Sequence, residues 1–378
     1  MRRAAMRGHC RPSCAIRRLP LRSLSTDASS PSTLRHDAQW SRCVTPVLAD
    51  QLLHDGYCVV PNAFPPRYLR QLRDEMHLLR AKGLLYPNST HILVQQPEQR
   101  TLLLEKHHIL ETELALEDVR DQVPTLRDFF EERVVLAPLV QTLPQWLGLE
   151  THMVKLQYNE GHGACFPMHF DTYGDDGKCV TAVLYLNEQW ADGDGGEIVL
   201  YPFPRPRVEV APTFGQLVLF SSQHMLHRVL PSSAPRYALT TWMYHRPPPT
   251  AKASSASYYR ELNSTSQTNS SPFEDMMSKV LRSSFRRHLV KLLYRDEWAR
   301  SLHESHKATP AFRHYMATQS DEMATIRAAT EQMLTNFRAK AASNGDVDAL
   351  PATVEELETR LGSAEHREFA TRFHLPWF

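Results

Sequence analysis

The sequence has no long apolar stretch and no pair of cysteines spaced for metal binding. A membrane-spanning helix needs roughly 18 or more consecutive apolar residues, and because no run approaches that length, no membrane span is predicted. The six cysteines in 378 residues are too few for a disulfide framework, and none stands in a Cys-x-x-Cys pair. These absences exclude a disulfide-rich secreted domain and argue against a zinc knuckle.

An excess of charge of either sign is also absent over the whole chain. The formal net charge is +1, from 43 basic and 42 acidic side chains, which argues against a general nucleic-acid binder. The composition is 42% hydrophobic and 22% charged, as in globular proteins with enough apolar residues for a core. This length fits one large domain or two ordinary ones.

The start of the chain has no acidic side chain. Residues 1–26 contain seven arginines and no aspartate or glutamate, and they lack the apolar stretch of a secretory signal. An Arg-rich, Ser-rich and acid-free start is typical of a mitochondrial presequence, so we interpret residues 1–35 as a basic presequence or a disordered tail. We therefore expect a mitochondrial location, and the alternative is a cytoplasmic protein with a plain basic tail.

Residues 36–150 mix helical and strand patterns and are expected to support the core that follows. The stretch "PVLADQLLHDG" has apolar residues at helical spacing and ends in Gly56, where a helix would stop. "YCVV" predicts a short strand, and "PPRYLRQLRDEMHLLRA" predicts an amphipathic helix with proline at its start. After further strands, "FFEERVVLAPLVQTLPQWLG" predicts one helix that ends near Gly148.

Residues 151–246 change to a rhythm of short strands separated by turns. The predicted strands are "HMVKLQY", "CVTAVLYLN", "EIVLYPF", "RVEVAP", "QLVLFSS" and "YALTTWMYH". Clusters of glycine, aspartate and proline such as "YGDDGK" and "PTFG" mark turns between them. This pattern predicts an all-β core, arranged as a sandwich, a jelly roll or a barrel.

The remainder of the chain reads as a linker followed by helices. Residues 247–270 begin with prolines and continue with serine and alanine, as in linkers, and residues 271–378 show apolar side chains at helical spacing. Two Ser/Thr-to-Glu pairs, typical of helix N-termini, mark helix starts in this all-α extension: Ser271 with Glu274, and Thr353 with Glu356.

The stretch "HFD" places His169 and Asp171 two positions apart. Side chains at positions i and i+2 of a strand point to the same face, so these two can reach one metal ion. A third ligand is expected on a neighbouring strand, and three histidines are candidates: His224, His227 and His245. His227 is favoured, because it alone of the three is followed nine residues later by an arginine, Arg236.

Two histidines and one carboxylate on one face of a metal form the facial triad of non-haem Fe(II) oxygenases. The carboxylate offsets charge on Fe(II), and the open positions accept a 2-oxo acid and O₂. Arg236 is then expected to hold the distal carboxylate of 2-oxoglutarate through a two-point fork. A lone His-x-Asp pair also occurs on ordinary polar strands, but the added histidine, the arginine and the β-rich context favour a metal site.

These motifs resemble those of the prolyl 4-hydroxylase branch of the Fe(II)/2-oxoglutarate-dependent dioxygenases. The similarity rests on "HFD", "GDDGKCVTAVLYLNEQW", "GGEIVLYP", "LVLFSSQHMLHRV" and "RYALTTWMY", and it is greatest to the type that hydroxylates hypoxia-inducible transcription factors. It covers residues 155–244. The resemblance implies a double-stranded β-helix, a distorted jelly roll, flanked by N-terminal helices and here followed by the all-α extension.

The resemblance also implies roles for single residues. His169, Asp171 and His227 match the iron ligands, and Arg236 matches the residue that pairs with the distal carboxylate of 2-oxoglutarate. Tyr185 matches the tyrosine that hydrogen-bonds the same carboxylate. Three further matches line the co-substrate pocket or lie near the metal: Thr240, Trp242 and Tyr158.

By this resemblance the chain is an Fe(II)- and 2-oxoglutarate-dependent dioxygenase that hydroxylates a substrate and releases succinate and CO₂. Ascorbate is a further candidate cofactor, and a peptidyl proline is the first substrate hypothesis. Leu184 departs from the family, whose members most similar to this chain have tyrosine there, and the helical extension is absent from the oxygen sensors. Two alternatives therefore stay open: the same chemistry on a small molecule, and a non-catalytic β-helix scaffold that binds partners through the extension. The oligomeric state is not assigned.

Overall fold

The computed structural model describes residues 37–94, 100–172, 174, 176–245, 270–343 and 345–378. The basic segment 1–35 and, apart from residue 270, the predicted linker 247–270 lie outside the described residues. Among the described helices, none has both the length and the hydropathy that crossing a bilayer requires.

The first elements are those predicted from the sequence, preceded by one short helix, Asp37–Cys43, that was not predicted. They are α1 (Asp37–Cys43), α2 (Pro46–Asp55), β1 (Tyr57–Val60) and α3 (Pro66–Ala81). The Thr45 hydroxyl accepts a hydrogen bond from Leu48 N at the start of α2, and Gly56, with φ +78°, ends this helix by donating to Leu52 O. The predicted amphipathic helix is confirmed in α3, because its apolar stripe, including Leu72 and Met76, is fully buried.

A long hairpin and a group of short helices come next. The strands are β2 (Tyr86–Val94) and β3 (Arg100–Glu113), and the helices are α4 (Glu117–Arg120), α5 (Pro124–Glu131), α6 (Leu136–Thr142) and a 3-10 turn (Gln145–Leu147). The prediction of one continuous helix ending near Gly148 is wrong in its middle. Arg133 has φ +55°, which ends the helical geometry of α5, and Pro144 precedes the separate 3-10 turn. The segment does end at Gly148, which has φ +57°.

Two antiparallel sheets form the core. The remaining strands are β4 (Leu149–Asn159), β5 (Ala164–His169), β6 (Lys178–Tyr185), β7 (Ile198–Tyr201), β8 (Val208–Val210), β9 (Leu217–Ser221), β10 (Leu226–Ser232) and β11 (Arg236–His245). The large sheet has the order β1-β9-β6-β11-β4-β3-β2, and the small sheet has the order β5-β10-β7-β8. This is the expected double-stranded β-helix, and its interior buries side chains from both sheets, such as Val183, Phe220 and Leu200.

The C-terminal part is helical, as predicted. It contains α7 (Pro272–Leu281), α8 (Arg286–Leu293), α9 (Arg295–Ser305), α10 (Pro310–Ala342), a 3-10 turn (Val347–Ala349), α11 (Val354–Leu361) and α12 (Ala364–Arg372). The capping box at Ser271 and Glu274 is present in full, and Thr353 accepts from Glu356 N. These helices are continuous with the β core, because Trp298 and Leu302 share one apolar cluster with small-sheet residues such as Leu200.

Candidate metal and co-substrate site

Three side chains that the sequence placed at a metal do converge. His169, at the end of β5, pairs in register with His227 on β10, and Asp171 follows two residues after His169. The Asp171 Oδ1 atom lies 3.6 Å from His169 Nε2 and 3.8 Å from His227 Nε2. The His169 side chain is 38% exposed, whereas those of Asp171 and His227 are 7% and 6% exposed, so the cluster is open on the His169 side.

Backbone carbonyls orient both imidazole rings. His169 Nδ1–H donates to Pro167 O at 2.8 Å, and His227 Nδ1–H donates to Met225 O at 3.1 Å. In each ring the remaining nitrogen, Nε2, is therefore the one with a free lone pair, and it points at Asp171. Such hydrogen bonds select the tautomer and the ring angle of a metal-binding histidine.

Asp171 is ionised in this setting. Burial alone raises the pKa of Asp171, but His227, His169 and the Thr181 hydroxyl outweigh burial and hold the pKa well below its usual range. The Thr181 hydroxyl donates to Asp171 Oδ2 and lies 2.7 Å from Ser222 Oγ, so Oδ1 stays available on the side of the histidines. One carboxylate oxygen is thus fixed by the protein and the other is free to bind a cation.

His227 is neutral in the same cluster. Burial first, and then the neighbouring His169, lower the pKa of His227 to about 4, although Asp171 opposes the shift. A neutral imidazole has the lone pair that a metal needs. Two imidazole nitrogens and one carboxylate oxygen are the donor set that suits Fe(II) in a facial triad, so the residues present fit this metal. Within the described residues this is the one cluster of three or more such ligands.

The rival histidines lie elsewhere. His224 is partly buried, and its pKa is lowered well below its usual value by burial and then by Arg286 and Arg287 of α8. Neither His224 nor His245 belongs to the cluster of ligand atoms. The geometry therefore supports the choice of His227 from its spacing to Arg236.

Arg236 and Tyr185 form a second buried pair on the large sheet. Tyr185 is fully buried, Arg236 is 3% exposed, and the guanidinium carbon lies 4.9 Å from the centroid of the Tyr185 ring. Arg236 Nε and the Tyr185 hydroxyl have no hydrogen-bond partner among the described residues. Buried donors without partners fit an anionic ligand, because such groups are otherwise costly. The pair therefore matches the expected grip on the distal carboxylate of 2-oxoglutarate.

Gly196 makes room for the arginine. A Cβ atom at Gly196 would lie 3.0 Å from Arg236 Cδ and 3.1 Å from Ser232 Oγ, and this residue has φ +80°. A side chain at this position would be strained and would press on the arginine stem. The second glycine of "GGEIVLYP", Gly196, thus leaves the space that the Arg236 stem occupies.

Thr240 and Trp242 share the Arg236 face of β11, since side chains alternate along a strand. The Thr240 hydroxyl donates to Gln157 Oε1 at 2.8 Å. The Trp242 ring lies between two ammonium groups, with Lys155 Nζ at 5.4 Å and Lys178 Nζ at 4.9 Å from its centroid. The structure thus brings both predicted residues to one face with Arg236, and it adds Gln157 and the two lysines.

Tyr158 is not brought to the metal, which corrects the expectation from the sequence. Its ring lies 4.7 Å from that of Tyr237 and 4.4 Å from the guanidinium carbon of Arg80, on the side of the large sheet covered by α3. Gln157, its neighbour on β4, faces Thr240 instead. Because the side-chain period of a strand is two, a shift of one residue moves a side chain to the other face.

The comparisons with known proteins agree with this geometry. The model of the 2OG-Fe(II) oxygenase superfamily matches residues 153–244. The mouse prolyl hydroxylase EGLN3 is 38% identical over 87 residues, which are 22% of this chain and 36% of that protein. The hypoxia-inducible factor prolyl hydroxylase of Caenorhabditis elegans is 26% identical over 204 residues, or 50% of this chain and 26% of that protein.

A solved structure resembles more of the chain. A crystal structure of prolyl 4-hydroxylases from Phytophthora capsici superposes with a TM-score of 0.58 at 26% identity, covering 92% of this chain and 99% of that one. The matched part of the chain spans about a third or less of the length of the curated relatives. The match to the solved structure covers 92% of this chain. Residues 153–244 thus match the 2OG-Fe(II) oxygenase superfamily, and the relatives and the solved structure that resemble this chain are prolyl hydroxylases.

Proposed function

We propose that this protein binds Fe(II) and 2-oxoglutarate and hydroxylates a peptidyl proline, with O₂ consumed and succinate and CO₂ released. One observation carries the proposal: two imidazoles and one ionised carboxylate converge in the β-helix that also buries Arg236 and Tyr185, whose Nε and hydroxyl have no hydrogen-bond partner among the described residues. A metal triad alone fits several oxygenase classes. The added arginine fork is what selects a co-substrate with a distal carboxylate.

The protein's own residues have distinct tasks in this reaction. His169, Asp171 and His227 would hold the iron, which supplies the reactivity toward O₂ when it is bound. Arg236 and Tyr185 would orient 2-oxoglutarate through its far carboxylate, leaving the 2-oxo acid end to face the metal. The protein's contribution is thus binding, orientation and exclusion of water.

The substrate class is supported by the relatives named above, which are prolyl hydroxylases. The test uses the purified full chain with Fe(II), 2-oxoglutarate, ascorbate and a library of proline-containing peptides. Succinate release is followed by nuclear magnetic resonance, and oxygen addition to the peptide by mass spectrometry. Each active peptide is paired with a control in which alanine replaces the proline. We expect hydroxylation of the proline peptide and none of the alanine control.

Three other results would change the proposed substrate or overturn the proposed enzyme activity. Succinate release that requires a metabolite extract and no peptide would assign the same chemistry to a small molecule. Hydroxylation of both members of a peptide pair would place the target at another residue. A protein that binds neither iron nor 2-oxoglutarate would favour the non-catalytic scaffold and overturn the enzyme proposal.

We further propose that the protein acts in mitochondria. The support is compositional: residues 1–26 have seven arginines and no acid, and positive charge responds to the inner-membrane potential. A fusion of residues 1–40 to a fluorescent reporter tests this. Mitochondrial fluorescence is expected. Diffuse cytosolic fluorescence would instead support the alternative that these residues are a basic tail without a targeting role.

A further inference from the structure

Each metal ligand of the β-helix has a neighbour in sequence that is held by the C-terminal helices. His169 follows Met168, Asp171 lies between Phe170 and Thr172, and His227 precedes Arg228. Adjacent positions on a strand point to opposite faces, so His169 on β5 and His227 on β10 leave Met168 and Arg228 on the outer side of the sheet. In this protein the outer side of the small sheet is covered by α9, with α8 beside it.

The first contact is at Met168. Its backbone N–H donates to the hydroxyl of Ser301 on α9 at 3.0 Å, and Ser301 is fully buried. The same hydroxyl donates to Trp298 O at 2.7 Å, which orients its lone pairs toward the strand. Because β5 is an edge strand of the small sheet, the serine serves here as the acceptor that a further strand would otherwise provide.

The second contact flanks Asp171. The Phe170 ring lies 6.2 Å from the ring of Trp298, and the guanidinium carbon of Arg287 lies 4.3 Å from the Phe170 centroid. Arg287 Nη2 also donates to Thr172 O at 2.7 Å. One arginine of α8 therefore contacts the residue on each side of the carboxylate ligand.

The third contact is beside His227. Arg228 is 3% exposed, and its guanidinium forms an ion pair with Glu304 of α9 and lies 3.7 Å from Glu297 Oε1 on the same helix. The Tyr201 hydroxyl of β7 donates to Glu297 as well. The Arg228 side chain is buried, whereas Glu304 and Glu297 are 33% and 21% exposed, so loss of the two carboxylates would leave a buried positive charge unpaired.

These contacts matter because the strand that carries His169 is weakly held by its own sheet. The pairing of β5 with β10 is interrupted by register shifts between His227 and Val229 and between Val229 and Ser232. Such irregularities bend a strand and reduce its ladder of hydrogen bonds. The small sheet therefore pairs His169 with His227 directly, but it holds the rest of β5 by an interrupted ladder.

We propose that α8 and α9 hold the metal ligands in place from outside the β-helix, and that Ser301 and Arg287 are positioning residues for the metal. The inference rests on the metal site of the proposed function. It assigns to residues 286–305 a role in metal affinity that acts through the ligand neighbours, with no contact to the metal itself. The helical extension would thereby contribute to metal binding by the β-helix.

The test measures Mn(II) binding to the full chain, by electron paramagnetic resonance and calorimetry, so that no turnover is needed. Ser301→Ala removes the acceptor for Met168 N–H. The matched control is Ser305→Ala, one turn further along α9: Ser305 is equally buried, but its hydroxyl bonds only within the helix end, to Ser301 O, Leu302 O and His306. We expect Ser301→Ala to raise the Mn(II) dissociation constant about 10-fold, as is typical when a partner behind a ligand is lost.

The control should separate metal positioning from general stability. Both serine variants should lower the melting temperature, whereas only Ser301→Ala should change the Mn(II) dissociation constant. Equal Mn(II) affinity in the two variants would overturn the inference. If Ser301→Ala does not fold, Arg287→Met decides the question against Arg282→Met, which removes a similar contact to the Phe373 ring away from the ligands. Unchanged Mn(II) affinity in Arg287→Met would then overturn the inference.

A further variant distinguishes this inference from the proposed function. His169→Ala removes a ligand and should abolish Mn(II) binding. A wild-type protein that binds no Mn(II) would overturn the metal site and the positioning role together. A wild-type protein that binds Mn(II) with an affinity unaffected by Ser301→Ala and Arg287→Met would leave the proposed function intact and overturn only the positioning role.

Discussion

The guanidinium of Arg236 lies against the ring of Tyr185, with 4.9 Å between the guanidinium carbon and the ring centroid. Both side chains are buried, and burial raises the pKa of the Tyr185 hydroxyl more than Arg236 lowers it, so the hydroxyl stays protonated and can donate. The Arg236 Nε and this hydroxyl are unpartnered within the described residues. The two side chains therefore offer a positive charge and a hydrogen-bond donor to an anionic ligand.

Replacing Arg236 should weaken the grip on 2-oxoglutarate. Loss of one partner of a buried charge pair costs ~2–5 kcal/mol, so Arg236→Ala should raise the KM for 2-oxoglutarate about 30-fold or more, at ~1.4 kcal/mol per tenfold change. Arg236→Lys keeps the positive charge but lacks the planar guanidinium. Its KM for 2-oxoglutarate should therefore lie between those of the wild type and Arg236→Ala. Steady-state succinate release measures both. An unchanged KM in Arg236→Ala would mean that another residue holds the co-substrate.

Tyr185→Phe tests the second half of the pair. It removes one donor to a charged group, a change worth ~1.5–3 kcal/mol, so the KM for 2-oxoglutarate should rise less than in Arg236→Ala. Mn(II) binding should stay at the wild-type level, because Tyr185 is not a ligand. A larger effect on Mn(II) affinity than on KM would contradict this assignment.

Removing His227 should abolish metal binding, and removing His224 should not. His227→Ala takes away one of three protein ligands, whereas His224 lies beside Arg286 and Arg287 and outside the ligand cluster. Calorimetric titration with Mn(II) compares the two variants, and circular dichroism checks that both are folded. Retained binding in His227→Ala with loss in His224→Ala would reverse the assignment.

The C-terminal tail contacts the end of α2, which predicts a large stability effect at Gly56. A Cβ atom there would lie 2.2 Å from Trp377 Cδ2, whereas a Cβ atom at Gly83 has no heavy atom within 4 Å. The two glycines have similar φ angles, +78° and +69°, so alanine should cost about 1 kcal/mol of backbone strain at either. Gly56→Ala should cost ~1–3 kcal/mol more, because the Trp377 ring must move. Equal free energies of unfolding in urea would contradict this contact.

His366 is a buried base in apolar surroundings, and its replacement should stabilise the protein in acid. It is 3% exposed between Phe273 and Phe369, and neither ring nitrogen has a hydrogen-bond partner among the described residues. His366→Leu should therefore be neutral or stabilising near neutral pH, since it removes polar atoms that make no bond.

The pH dependence of this effect has a defined sign. Burial lowers the pKa of His366 to about 4, while an unfolded chain binds a proton near its usual value of 6.5. Between these two pH values the unfolded state binds more protons, so stability is lost as the pH falls from 6.5 toward 4. His366→Leu should remove this part of the loss, up to ~2 kcal/mol at about pH 5. Denaturant midpoints at two pH values measure it, and an equal pH dependence in both proteins would refute it.

Local chemistry made the metal ligands predictable from sequence. The two-residue spacing of His169 and Asp171 predicted that they converge, although β5 ends at His169, and the offset from His227 to Arg236 selected the third ligand among several histidines. The glycine at the end of α2 and the capping box at Ser271 were predictable for the same reason, since they depend on neighbours within one helical turn.

The other features depend on contacts between distant segments. The side of the sheet on which Tyr158 lies depends on how β4 registers against β11, and Gln157 takes the place facing Thr240. Residues 271–378 carry only a helical pattern in the sequence, yet in the fold Ser301 and Arg287 lie directly behind the metal ligands. The sequence by itself determined the reactive groups, because their spacing is local. Only the tertiary structure decided which groups share a face and what supports them, because strand register and helix docking arise from contacts between residues far apart in the chain.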